Sequence, residues 1–375
     1  MTLSRRAALA GVASTLGLSA CGTRGALFPA RLEGGVPVEI FTGTNRAADG
    51  SSNAFGGGRD DAVQYGRIVV SVPRERPEGT VHFPAQLPPD PATDFFTLEA
   101  ASFGGPRAFA GAIDARLARM PAAERTINVF THGFNTTFAE GVFRQAQMMH
   151  DFGMPGVHAH YSWPSAAGIR SYAYDRESAV FARDGLTAML ETLAATRVQD
   201  MLVTAHSMGA MLLMEALRSM ALRGSPRFFA RLRGVVLISP DIDIDVFRAQ
   251  AAPIAAQGVE FIIFYSSRDR ALLASAILRG GGSDRLGRIH DPEVLAGLPV
   301  MLVDTSTVEG TDRLGHFALA TSPAMIAMVR GLNEQGERII ADAAYQPNPF
   351  EATLNVATDV VGAVTQPLTG VGPGQ

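Results

Sequence analysis

Apolar positions along the chain follow two different periods. Runs of six to eight mostly apolar, β-branched residues stand at 36–42 (VPVEIFT), 67–72 (RIVVSV), 126–131 (TINVFT) and 157–162 (VHAHYS). Four more stand at 200–206 (DMLVTAH), 233–239 (RGVVLIS), 259–266 (VEFIIFYS) and 299–304 (PVMLVD). The later runs are almost continuously apolar, the pattern of strands buried on both faces. Between the runs the spacing becomes helical, at 106–119, 137–151, 174–196, 208–222, 244–257, 270–278 and 323–334. Ala210, Leu213, Met214 and Leu217, for example, follow i, i+3, i+4, i+7. Strand and helix alternating this often predict an α/β fold: a mostly parallel sheet of eight strands with helices on both faces. No helical pattern separates the first two strands, which predicts an antiparallel pair. Segments 43–66 and 73–104 are long and rich in Gly, Pro or Asp, and read as loops that carry function or move.

Composition narrows the class. A chain of 375 residues, 47% hydrophobic, can bury a large core. Its net charge is only −4, and its basic residues are scattered arginines with no lysine, so nothing suggests a nucleic-acid surface. The single cysteine, Cys21, excludes an intrachain disulfide and a cysteine metal cluster. At the amino terminus, Arg5-Arg6 precedes an uncharged stretch from Ala7 to Ala20, too short to span a membrane. It reads as a signal peptide over 1–20 of twin-arginine type, and Leu18-Ser19-Ala20-Cys21 resembles a bacterial lipobox. The expected organisation is then a lipidated Cys21, a linker over 21–35, one domain over 36–345 and a peripheral tail over 346–375. The expected location is an exported chain held by its lipid anchor on the membrane surface of the cell envelope.

The chemistry-bearing residues cluster at strand ends. In "VTAHSMGAM" (203–211) a buried run meets a helix at Ser207, as in the G-x-S-x-G nucleophile elbow with Ala205 in the first glycine's place. Gly209 supplies the small residue needed two positions on. A helix-capping serine is the plainer alternative. A serine nucleophile needs a base, and chain order Ser, acid, His leaves His290 and His316 after it. His316, between the last strand and the last helix, is placed as the base. His290, in a Gly- and Arg-rich connection, reads as a surface residue, and His206 is set aside because adjacency at a sharp turn does not aim its ring at Ser207. For the acid, Asp269 follows a buried strand, with Asp241 and Asp243 as competitors. The spacing of Asp241, Asp243 and Asp245 lacks the Gly and Glu of a calcium loop. His132-Gly133-Phe134-Asn135, after the 126–131 strand, is placed as the oxyanion loop, with the N–H groups of Phe134 and Met208 as donors and His132 as a brace. Trp163, the single tryptophan, is expected to shape the substrate pocket. His158 and His160 share a strand face, but no third ligand accompanies them, so neither metal nor cofactor is expected.

With these features in order, the chain resembles the largely uncharacterised bacterial esterase/lipase-like α/β-hydrolases. The matching segments are Phe41-Thr42-Gly43-Thr44-Asn45-Arg46, Tyr65-Gly66 through Val70-Ser71-Val72-Pro73, Phe130 to Asn135, and Tyr161-Ser162-Trp163-Pro164-Ser165. Tyr174 to Ala179, the elbow, "YSSRDRALLAS" and "GHFALATSP" complete them. Phe41 departs from the usual tyrosine. The resemblance implies an α/β-hydrolase fold and a Ser207/Asp269/His316 triad but says little about substrate; the substrate expected of such a triad is an ester, small-molecule or lipid. A lipase, thioesterase or amidase on the same triad, or a hydrolase-like scaffold without activity, stays open.

Overall fold

The computed structural model describes residues 27–342, apart from 28, 31, 51–53, 85–86, 279–283, 309, 311 and 313. The signal peptide, Cys21, most of the linker and the tail over 346–375 lie outside the described residues.

Nine strands form one sheet, one more than the pattern predicts. They are β1 (Val36–Ala48), β2 (Phe55–Val72), β3 (Phe96–Phe103), β4 (Thr126–Thr131), β5 (Val157–Ser162), β6 (Asp200–His206), β7 (Leu232–Ile238), β8 (Phe261–Tyr265) and β9 (Val300–Asp304). Their order is β3-β2-β1-β5-β4-β6-β7-β8-β9. The β1/β2 and β2/β3 pairs are antiparallel, and every pair from β1/β5 onward is parallel. The strand missed by sequence is β3, inside the expected 73–104 loop. It is an edge strand buried only at its start, with Glu99 to Ser102 exposed in a row, so no alternating buried face stamps a period on it. The expected 43–66 loop is mostly the far end of the β1/β2 ribbon, where polar residues such as Arg59, Asp60 and Asp61 interrupt the apolar pattern.

Ten α-helices are described: α1 (Pro106–Leu117), α2 (Phe138–Asp151), α3 (Tyr172–Phe181), α4 (Arg183–Ala194), α5 (Met208–Arg223), α6 (Pro226–Phe229), α7 (Ile244–Ala255), α8 (Arg270–Leu278), α9 (Ala318–Thr321) and α10 (Pro323–Asp342). The single helix expected over 174–196 is two, α3 and α4, joined at Ala182. Helix α2 begins at a reciprocal cap: Thr137 accepts from the Glu140 N–H, and Glu140 accepts from the Thr137 N–H. Alternate residues of the central strands feed opposite faces. Val129, Val203, Val235, Leu237 and Ile263 pack with Leu186 and Met189 of α4 and Leu213 of α5. Phe130, Val236, Ile238 and Phe264 pack with Met148 of α2 and Ile326 of α10.

This strand order places the site. From β4 the chain crosses through α2 to β5 on one side, whereas from β6 it crosses through α5 to β7 on the other. The connections diverge, so a crevice opens at the carboxyl ends of β4 and β6, where open α/β sheets bind ligands. The loop after β4 and the turn after β6 are the two segments singled out as oxyanion loop and elbow.

Candidate active site

Ser207 sits at the β6–α5 turn with φ 53° and ψ −122°. A non-glycine residue there stores on the order of 1–3 kcal/mol of backbone strain. Its hydroxyl makes no capping bond to α5, so the helix-cap alternative does not hold. The turn is fastened by main-chain bonds: Ser207 N–H donates to Ile238 O at 3.0 Å, and its carbonyl accepts from Asp241 N–H at 3.1 Å. The loop after β4 presses on this turn. A Cβ on Gly209 would lie 2.2 Å from His132 O, and one on Gly133 would lie 3.0 Å from Ser207 Cβ. Gly209→Ala is therefore expected to push the loop from the elbow, losing on the order of 2–3 kcal/mol of stability and most activity, measured by urea unfolding and ester hydrolysis. A stable, active variant would show that the contact is not obligatory.

Asp269 and His316 meet at 2.6 Å, Oδ2 to Nδ1. Asp269 is buried, and its other carboxylate oxygen accepts the Leu272 N–H at 2.9 Å, so one side chain both caps α8 and holds the imidazole. The His316 loop is shaped by Asp312, which accepts from the N–H groups of Leu314, His316 and Phe317 at 2.9, 2.6 and 2.8 Å. Burial opposes a charged His316 imidazole. The Asp269 hydrogen bond and charge, helped by Asp241 and Asp312, outweigh burial and raise its pKa above the usual histidine value. His206, just before Ser207, lies with its ring 4.7 Å from that of His316 and 4.1 Å from that of Phe317. Burial, then the neighbouring His316, keeps His206 neutral, and its Nε2 faces the His316 carbonyl at 3.3 Å.

The rival acids are engaged elsewhere. Asp241 takes hydrogen bonds from Tyr172 and Ser275 and pairs with Arg285 at 3.3 Å, and Asp243 caps α7. His290 is exposed. Trp163 departs from expectation. It is fully buried, stacks on His132 at 4.9 Å and donates from Nε1 to His132 O at 2.7 Å, so it braces the loop and does not line a pocket.

The chief residue without a role in the sequence reading is Arg46, on β1. Fully buried, it fans its donors to Ser162 Oγ (2.8 Å), Gly56 O (3.0 Å), Ser165 O (2.9 Å) and Thr136 O (2.7 Å), with Nη2 3.3 Å from His132 Nε2. It thereby ties the loop after β4 to the loop after β5. Burial lowers its pKa to about 10, against the pull of Asp175 and Glu140, so it stays charged at neutral pH. Burial, then Arg46 and His160, holds His132 well below the usual value. A neutral His132 donates from Nδ1 to Gly133 O at 2.8 Å and accepts at Nε2 from Ser162 Oγ at 3.2 Å. Ser162 and His132 therefore form a sealed brace without a carboxylate behind the histidine, unlike Asp269 and His316. Asp175 braces the same region, accepting from Ser165 Oγ at 2.5 Å and Ala166 N–H at 2.7 Å.

Sheet, crossovers and strand-end site together define an α/β-hydrolase. The chain belongs to the family described as alpha/beta hydrolases of unknown function, DUF900, which matches residues 110–332, more than half its length. No curated protein matches. Among solved structures, a Pyrobaculum calidifontis esterase is 14% identical over 56% of this chain and 78% of that one, with a TM-score of 0.31. Esterase 2 of Thermogutta terrifontis, phosphonylated by sarin, is 13% identical over 62% and 89%, with a TM-score of 0.31. A Rhizomucor miehei esterase is 11% identical over 83% and 87%, with a TM-score of 0.36. Likenesses this distant carry no argument about chemistry, which rests on the site itself.

Proposed function

We propose that this hydrolase cleaves carboxylic esters through an acyl-enzyme on Ser207. The observation that carries the reading is the 2.6 Å contact of Asp269 with His316, whose ring lies 4.7 Å from that of His206, the residue before a strained serine whose hydroxyl caps nothing. His316 Nε2 takes the proton as Ser207 Oγ attacks the ester carbonyl. Asp269 keeps the proton on Nδ1 and stabilises the imidazolium. The N–H of Met208 opens a sixteen-residue helix and has no carbonyl partner within it. With the Phe134 N–H it is assigned to the oxyanion. The protonated His316 gives its proton to the leaving alcohol, and water, activated by the same imidazole, releases the acid. The chemistry calls on no cofactor.

A fluorophosphonate probe tests the assignment: its adduct should map to the peptide carrying Ser207, and an adduct elsewhere would overturn it. The base must be neutral to act. With its pKa raised, kcat/KM on a neutral ester should climb with pH through a limb lying above 6.5. Asp269→Asn removes the hydrogen bond and charge that raise it. That limb should move to lower pH while kcat falls by about 10⁴-fold. An unmoved limb would separate Asp269 from the base.

A further inference from the structure

Next to Ser207, on the α2 side, is a pocket of about 230 Å³ walled by Val81, Phe130, Gly133, Arg144, His206 and Phe317. Gly133 and His206 are shared with the nucleophile's own surroundings. The Arg144 guanidinium is pinned along one edge only. Nη1 donates to Gly79 O at 3.1 Å and Gln147 Oε1 at 2.8 Å, and the group stands 5.5 Å from the Phe317 ring centre. Nε and Nη2 make no hydrogen bond to protein and are not sealed from solvent, and Arg144 joins no ion pair, among the described residues.

The carboxylates nearby are already matched. Glu140, which also lines the pocket, accepts the Thr137 N–H at 2.8 Å. Asp151 is paired with Arg76 and accepts from Gln147 and the Gly79 N–H. Asp312 accepts three main-chain N–H groups. The guanidinium is the unmatched charge in this group, half-buried with its free edge open to solvent and so to an anion entering the pocket. Burial brings its pKa only to about 10, so it is cationic at neutral pH. The Gly79 carbonyl, two residues before the pocket-lining Val81, holds Nη1 and leaves the other edge free.

We infer that Arg144 is a substrate-recognition residue: the esters taken by this site carry an oxyanion, carboxylate or phosphate, gripped by the free edge of Arg144 while the carbonyl lies at Ser207. The inference rests on the ester-hydrolase reading. A planar guanidinium meets either oxyanion with two parallel hydrogen bonds, which a lysine cannot reproduce.

The test uses the full chain and two matched pairs. p-Nitrophenyl hydrogen adipate against p-nitrophenyl hexanoate places a carboxylate on the acyl part. 2-Butyryloxyethyl phosphate against ethyl butyrate places a phosphate on the alcohol part. One anionic member should exceed its neutral partner in kcat/KM by about tenfold or more, and which one identifies the source of the oxyanion. Arg144→Gln should abolish that preference through KM, and Arg144→Lys should restore part of it. Inorganic phosphate should compete with the preferred ester in the unmodified protein, a measurement that stands if Arg144→Gln does not fold. A protein that hydrolyses the neutral esters and labels at Ser207, yet shows no anionic preference in either pair, overturns the inference and leaves the hydrolase reading intact. A protein that turns over none of the four and takes no label overturns the hydrolase reading, and this inference with it.

Discussion

Ser207→Ala should lower kcat/KM on a short p-nitrophenyl ester by about 10⁴- to 10⁶-fold, the scale of losing a serine nucleophile. Unfolding stability should stay within about 0.5 kcal/mol. Both follow from the same geometry. The hydroxyl does not cap α5, and the turn is held by main-chain bonds to Ile238 and Asp241 that alanine keeps. Alanine carries the same strained φ, so the strain is unchanged. Any residual rate would come from binding and the oxyanion donors. Steady-state hydrolysis and urea unfolding of the same preparation separate the two effects. Activity within tenfold of the unmodified protein would remove Ser207 from the mechanism. A large stability loss would mean that the hydroxyl is structural.

The second large effect is expected at Arg46→Met. Its four carbonyl and hydroxyl acceptors and His132 Nε2 would lose the donor that a fully buried guanidinium supplies. Breaking such a buried charged network is destabilising by on the order of 3–5 kcal/mol. Ester hydrolysis should fall as well, because Thr136 and His132 belong to the loop that carries the Phe134 N–H. Arg46→Lys should recover little, since one ammonium cannot span acceptors spread over three segments. Arg67→Met is the comparison. Arg67 pairs with Glu39 at 3.0 Å and Glu99 at 2.8 Å near the surface, and its loss should come to about 1 kcal/mol or less. Equal losses at the two positions, read from urea midpoints, would refute a special role for Arg46.

Arg46 also shows where sequence reading stops. As a letter it is one more arginine in a polar stretch, and its neighbours in the fold come from residues 10 to 119 positions away. Arg144 is equally mute, since it lies on an amphipathic helix where an outward arginine is ordinary. Asp312 precedes a glycine and the candidate base, and its turn-forming role becomes visible only when three N–H groups converge on it. Trp163 fails in the other direction. Being the sole tryptophan drew it toward the substrate, but an indole at the end of a buried strand packs inward.

The sequence by itself determined the layered α/β plan, the parallel central strands, the antiparallel start and the order Ser207, Asp269, His316. Burial on two faces writes continuous apolar runs, amphipathic helices write their own period, and a sharp strand–helix turn demands small residues at fixed offsets. The tertiary structure alone decided the edge strand β3, the partners that occupy Asp241, the brace around Arg46 and the pocket with Arg144. These depend on contacts between distant segments and on which charges find partners, and neither property leaves a local period in the chain.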